Sequence, residues 1–154
     1  MNDARRREDA PPLPLSAIAT CFEGVVPAVI ATASAAGVPN VTHLSRVHYV
    51  DGDHVALSNQ FFSKTVRNLV ENPTACVLLV DPLTYAQYRL MLRYERTERR
   101  GPVFDRLQLD IDTVAALTGM QGVFKLRSAD IYRVVEIDVA VGTAVAQVEA
   151  RSEP

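Results

Sequence analysis

The sequence predicts a mainly antiparallel β-barrel with helical covers, an expectation that rests on three observations. Six or seven short strand-like runs are spread along the chain, the helical stretches between them are short, and no regular β-α-β alternation appears that would build a doubly wound sheet. The 154 residues are 48% apolar and 22% charged, a soluble globular composition, and a chain of this length buries about two-thirds of the surface it exposes when unfolded. A single domain is expected over residues 13–139.

Residues 1–12 are polar, charged and proline-ended, which predicts a disordered N-terminal arm with Arg5-Arg6-Arg7 in solvent. Leu15, Ile18 and Phe22 recur at helical spacing and Gly24 follows, the pattern of a short helix with a glycine cap that covers a sheet. Val25 to Ser34 is apolar and β-branched, Ala35-Ala36-Gly37 supplies a turn, and Val41 to Val50 extends again. Asp51-Gly52 then predicts a two-residue type I′ hairpin into Asp53–Asn59, with Tyr49 opposite His54 and Ser45 opposite Ser58.

Residues 61–72 change period. Val66, Leu69 and Val70 form an apolar stripe, Ser63 is the expected N-cap and Asn72-Pro73 the stop, which together predict a short helix. Thr74 to Asp81 is continuously apolar, as suits a strand buried on both faces, and Pro82 ends it. Ala86, Tyr88, Leu90, Leu92 and Tyr94 alternate with Gln87, Arg89, Met91, Arg93 and Glu95, which predicts a long strand with one apolar and one mostly polar face. Gly101-Pro102 opens a helix with Val103, Phe104, Leu107, Ile111 and Val114 on one side, closed by Gly119. Asp110 and Asp112 on that helix are expected in solvent, and Tyr49 and Tyr88 are expected to be packing residues. Two further strands are expected at Gly122–Leu126 and Ile131–Val139. Residues 140–154 are small and weakly patterned, and read as a tail or linker.

Composition excludes several functions. A net charge of −2 lacks the basic excess that nucleic-acid or anionic-membrane binding demands. Cys21 and Cys76 stand far apart, in no metal or redox spacing, which fits a reducing compartment. No run of about 18 apolar residues and no signal-peptide pattern occurs, so a cytoplasmic location is expected. His43 and His48, five apart on one strand, would face opposite ways and could not share a metal. The G-x-S-x-G, H-E-x-x-H, G-x-x-x-x-G-K-[ST] and G-x-G-x-x-G signatures are missing.

What remains is a polar cluster where strand 54–59 runs into helix 64–71: Ser58, Asn59, Gln60, Ser63, Lys64, Thr65, Arg67 and Asn68. Free N–H groups at a helix start, two hydroxyls and two cations are the donors and charge a phosphate monoester needs. Lys64 stands out because Lys125 is the only other lysine among 16 basic residues. A capped surface helix with solvated cations would leave the same spacing.

The order of segments resembles the FMN-binding split barrel of the pyridoxamine 5′-phosphate oxidase-like superfamily over about residues 15–138. The motifs are A-V-I-A-T-A-S followed by G-V-P-N, T-H-L-S-R-V, A-L-S-N, S-K-T-V-R-N-L-V-E-N-P and C-V-L-L-V-D. The resemblance implies a split β-barrel, antiparallel and Greek-key-like, that binds FMN as a homodimer with two flavins at the subunit interface. It places the flavin phosphate on Ser63 and Lys64 with help from Arg67. It lays Thr42, His43, Leu44, Ser45 and Arg46 along the ring, and adds Leu57 and Ser58 after the hairpin. Q-Y-R-L-M-L-R-Y-E-R resembles the family's long-strand pattern, in which Gln87 reaches the flavin bound mainly by the other subunit.

Thr42 replaces the phosphate-contact arginine of true pyridoxamine phosphate oxidases, and Leu92 replaces the long-strand glycine. No tryptophan occurs, and the substrate-binding Arg and His of the oxidases' C-terminal segment have no counterpart. The implied activity is therefore a flavin-dependent oxidoreductase on another small molecule, with donor and substrate unassigned. The alternative is a non-catalytic module binding haem, through His43, His48 or His54, or the deazaflavin F420, or serving as a flavin sensor or dimerising scaffold.

Overall fold

Seven strands form one antiparallel sheet: β1 (Ala28–Ala33), β2 (Pro39–Leu44), β3 (Val47–Tyr49), β4 (His54–Asn59), β5 (Thr74–Val80), β6 (Gln87–Glu98) and β7 (Ser128–Val139), in the order β2-β1-β5-β6-β7-β4-β3. A 3₁₀ helix (Leu15–Glu23) precedes them, α1 (Ser63–Glu71) joins β4 to β5, and α2 (Pro102–Thr118) joins β6 to β7. This computed structural model describes residues 13–24, 26–59, 63–123 and 125–140. The predicted arm, residues 141–154 of the predicted tail, Val25 and Gln60 lie outside the described residues.

The topology forces the sheet to close. β2 and β3 are its opposite edges, yet only Ser45 and Arg46 separate them in sequence. Three Cα steps span at most about 11 Å, whereas seven flat strands would set the edges about 29 Å apart. The sheet must curl until its edges meet at this corner. Arg46 fastens it: its Nε donates to the Phe22 carbonyl at 2.9 Å and its guanidinium lies 3.4 Å from Asp110 of α2. Gly24 makes room, because it caps the 3₁₀ helix at φ +74° and a Cβ there would sit 2.8 Å from Arg46 Cδ.

The barrel interior holds Ile30, Leu44, Val55, Leu57, Val77, Leu79, Leu90, Leu92 and Tyr132, closed at one end by Leu15, Ile18 and Phe22 of the 3₁₀ helix. A second cluster, Ala56, Leu107, Ile111, Leu126, Ala129 and Ile131, seals α2 to the outside of β4 and β7. Thr20 Oγ1 donates to Asp81 at 2.6 Å, and Asp81 Oδ1 accepts from the N–H groups of Leu83 and Thr84, so one buried carboxylate ties the helix to the β5–β6 turn.

Several expectations change. The predicted strand Val41–Val50 is two strands broken at Ser45-Arg46, since a single straight strand could not pass between the sheet edges. His43 and His48 consequently lie on different strands. The hairpin loop is three residues, not two: Tyr49 faces Val55, His48 faces Ala56, Ser45 pairs with nothing, and neither Asp51 nor Gly52 takes a positive φ. The Asp51 carboxylate accepts the Asp53 N–H at 2.9 Å, an Asx turn that replaces the type I′ turn.

The first strand begins at Ala28 rather than Val25. β5 buries only Ala75, Val77 and Leu79; its other face, with Cys76, Leu78 and Val80, is half-buried. On α2, Ala115 is buried and Val114 is 54% exposed. Residues 122 and 123 lie in a turn, Gly122 having φ +79°, and 125–126 are irregular, so the described residues of the predicted strand Gly122–Leu126 form none.

Asp110 is no solvated acid, because it pairs with Arg46 and sits 3.3 Å from His48 Nδ1. His48 is 5% exposed. Its pKa is pushed down to about 4, mainly by burial and then by the Arg46 charge, with Asp110 opposing and Arg106 adding to the push. Folding therefore favours the neutral ring, and stability is lost as pH falls from 6.5 towards 4, where the unfolded chain binds a proton the folded one resists. His48→Gln should remove on the order of 3 kcal/mol of acid sensitivity across that window, as read from urea unfolding at stepped pH.

Candidate functional site

Helix α1 covers one end of the barrel, and the face it buries is not the apolar stripe of its sequence. Thr65, Asn68 and Leu69 point inward, while Val66 is 36% and Val70 83% exposed. Polar strand ends explain the choice. Asn68 Nδ2 donates to Thr32 Oγ1 of β1 at 3.1 Å, and Asn40 Nδ2 of β2 donates to Thr65 Oγ1 at 3.3 Å. An apolar face there would leave buried strand-end groups without partners. Glu71 accepts the Ala35 N–H at 2.9 Å, fixing the far end of the helix to the β1–β2 turn.

Lys64, Asn68 and Glu71 share one flank at i, i+4, i+7, so the exposed Lys64 lies on the side facing β1 and β2. Asn40, Thr42 and Leu44 are the inward residues of β2, and Asn40 is hydrogen-bonded to Thr65. The start of α1 and the strand expected to carry the ring thus meet in one corner, at the Asn40–Thr65 hydrogen bond, with Lys64 next to it on the helix and Thr42 two residues along the inward row of β2. Arg67 is exposed further round the helix. Helix α1 begins at Ser63 itself; that side chain, and with it the predicted N-cap, lies outside what is described.

The remaining expected residues are distributed differently. Leu44 and Leu57 are core residues, leaving only their backbone for a ligand. Ser45 is exposed at the corner, and Arg46 is committed to Phe22 and Asp110. Ser58 is buried beside Ala129. His43 and Gln87 lie on the outer face of the sheet, His43 in a row with Val29, Leu78 and Arg89, and Gln87 next to Val80. Strand spacing puts the two about 15 Å apart within one chain. Leu92, at the family's glycine position, fills the core at 1% exposure.

Asn59 ends the inward row of β4 and opens into a groove under the other flank of α1. That groove is lined by Val66, Leu69 and Val70 on the helix and by Tyr94, Thr97, Arg99, Ser128 and Asp130 on or beside β6 and β7. Sequence reasoning missed Tyr94, Thr97, Ser128 and Asp130; the one available signal is the polar pair Ser128 and Asp130 at strand spacing ahead of an apolar run. Burial pushes the Asp130 carboxyl up, against hydrogen bonds from Thr97 and Ser128 and the Arg99 charge.

The thiols offer no nucleophile: burial pushes Cys21 up to about 12 and raises Cys76 as well. Among the described residues no group of three or more His, Cys, Asp or Glu could hold a metal ion, and no helix is long and apolar enough to cross a membrane.

The sequence model of pyridoxamine 5′-phosphate oxidase matches residues 15–145. The chain belongs to that family. Known structures share the fold at low identity. An FMN-binding protein from Syntrophomonas wolfei subsp. wolfei is 16% identical, with a TM-score of 0.68 over 80% of this chain and 83% of that one. An F420 reductase is 14% identical, TM-score 0.56, over 77% and 93%. The haem storage protein HutZ from Vibrio cholerae is 14% identical, TM-score 0.54, over 81% and 92%. No curated protein matches the sequence.

Asn68→Ala removes the link from α1 to β1 and leaves Thr32 without its donor. It should cost about 1–3 kcal/mol and speed amide exchange in α1 more than in β5, as measured by hydrogen exchange.

Proposed function

We propose that the chain is an FMN-binding protein of the pyridoxamine 5′-phosphate oxidase-like type, working as a flavin-dependent oxidoreductase on a small molecule. The observation that carries this reading is the hydrogen bond that ties Asn40 of β2 to Thr65 at the start of α1, next to the exposed Lys64 and on the strand that carries Thr42. The donor set at this corner fits a phosphate monoester: one cation, hydroxyls, a carboxamide and free helix N–H groups at the positive end of the dipole. FMN, when bound, supplies hydride and electron transfer, so the protein needs no nucleophile of its own.

In this reading Lys64 neutralises the phosphate, with Arg67 adding charge from the next turn. Thr42 and the backbone around Leu44 and Ser45 position the ring. A second copy of the chain completes the site with its own Gln87, which lies too far from the corner to serve within one chain. The outer face of β2, β1, β5 and β6 supports such pairing. Val29, Ala31, Val41, Cys76, Leu78, Val80 and Met91 leave an apolar field half-covered or exposed there, a composition that suits a subunit interface.

A haem-binding module is the second reading, favoured by His43. His48 is buried against Asp110, and His54 sits between Asp51 at 2.8 Å and Glu95 at 3.2 Å, whereas His43 is exposed beside the apolar field with its ring unpaired among the described residues.

The visible spectrum of the purified protein, titrated with FMN, separates these readings. A two-banded flavin spectrum, or saturable quenching at one FMN per subunit, is expected; a Soret band that His43→Ala removes would favour haem instead. Lys64→Ala should weaken FMN binding by about 1.5–3 kcal/mol, measured by fluorescence titration, and an unchanged affinity would take Lys64 out of the phosphate role. Gln87→Ala should shift the flavin spectrum or potential while sedimentation still reports a dimer.

A further inference from the structure

The inward rows of three strands turn polar at the same end of the barrel. On β4, Val55 and Leu57 lead to Asn59; on β6, Leu90 and Leu92 lead to Tyr94 and, past a bulge, Thr97; on β7, Tyr132 leads back to Asp130 and Ser128. A closed core calls for apolar residues there, and barrel mouths are where ligands enter. Val66, Leu69 and Val70 of α1 roof the opening.

Asp130 is 5% exposed, and its two oxygens differ. Oδ1 accepts Thr97 Oγ1 at 2.9 Å and Ser128 Oγ at 3.1 Å. Because the Thr97 proton points to the carboxylate, the Tyr94 hydroxyl 2.5 Å from Thr97 Oγ1 must donate to that oxygen, and the chain of hydroxyls is directed. Oδ2 takes no hydrogen bond from any described residue and no cation lies within ion-pair distance of it, yet it keeps accessible surface in the groove. Oδ2 therefore meets only solvent in the groove, and a cationic donor there recovers part of the desolvation cost of a charge this deeply placed.

We propose that this mouth binds a small amine, its protonated nitrogen on Asp130 Oδ2 and its carbon skeleton against Val66, Leu69 and Val70. An ammonium donates a hydrogen bond and compensates the charge at closer range than Arg99, which also lines the groove; a hydroxyl does only the first, and an anion brings neither a donor nor a positive charge to Asp130. The cavity itself is about 90 Å³, well below the roughly 300–1,000 Å³ of drug-sized ligand pockets, so only a few carbons of the amine fit inside it and the rest of a larger skeleton lies in the open groove. The assignment stands on this geometry alone and does not depend on which cofactor occupies the corner on the opposite flank of α1.

The test titrates the full chain with benzylamine and butylamine, and with benzyl alcohol and butyrate as uncharged and anionic counterparts, following backbone amide shifts by NMR. Saturable shifts at Asn59, Val66, Thr97 and Asp130 with the amines are expected, at least about tenfold weaker for the alcohol and absent for butyrate. Asp130→Asn keeps the shape and both hydroxyl bonds and should weaken amine binding by about tenfold or more, while Asp112→Asn, an exposed carboxylate on α2, leaves it unchanged. Val66→Trp fills the mouth from its solvent side and should abolish binding in a folded protein, which keeps the test decisive if Asp130→Asn is poorly folded. Equal binding of amine and alcohol, shifts confined to other surfaces, or full amine affinity in Val66→Trp would each overturn the proposal. FMN titration of the same samples reads the flavin site separately.

Discussion

The rest of the structure depends on the two-residue passage from Leu44 to Val47. It joins the two edges of one sheet, so the sheet has no freedom to lie open, and the apolar inward residues are committed to a single enclosed core. Arg46 makes the passage sharp by bonding the end of the 3₁₀ helix on one side and Asp110 on the other. That commitment gives Arg46, a residue expected along a ligand, a structural part in holding the barrel shut. A charged side chain between two edge strands, beside the Phe22 carbonyl and the Asp110 carboxylate, gains charge-assisted bonds that a freely presented cation lacks.

Closure leaves two open ends, and each is treated differently. The 3₁₀ helix plugs one end with Leu15, Ile18 and Phe22. At the other, α1 presents threonine, asparagine and one leucine inward and turns two valines out. A helix that binds its barrel through side-chain hydrogen bonds holds position and rotation together, since each bond has a direction that apolar packing lacks. The start of α1 is thereby aimed at β2, and its opposite flank is kept above the polar mouth.

Much of the fold was legible because period and punctuation agree: the alternation of Tyr88, Leu90, Leu92 and Tyr94, the glycine caps at Gly24 and Gly119, and the stop at Pro73 all match the structure. What stayed hidden is long-range. No local signal in T-H-L-S-R-V-H-Y-V says that the chain changes sheet edge at Ser45-Arg46, because each half reads as strand. Asp51-Gly52 promised a two-residue turn, and the Asp51 side chain chose an Asx turn instead. For α1, the hydrophobic stripe was real but the partner surface was polar, which one helix cannot disclose. Lys64 and Thr65 stand side by side in the sequence, whereas Asn40, 25 residues upstream of Thr65, joins them only through the fold. Asp130 and Thr97 were invisible as a pair, since only β-pairing brings them together.

The sheet order also sets a timetable for the growing chain. β4 pairs only with β3 and β7, so the hairpin of residues 47–59 has no outer neighbour until residues 128–139 have been made. By then β1, β2, β5 and β6 can already have assembled, since each finds a partner among earlier or adjacent segments. The apolar inner face of the hairpin, Val47, Val55 and Leu57, therefore spends most of synthesis without its final cover. It is the part of the nascent protein most exposed to chaperones and to edge-to-edge association with other chains.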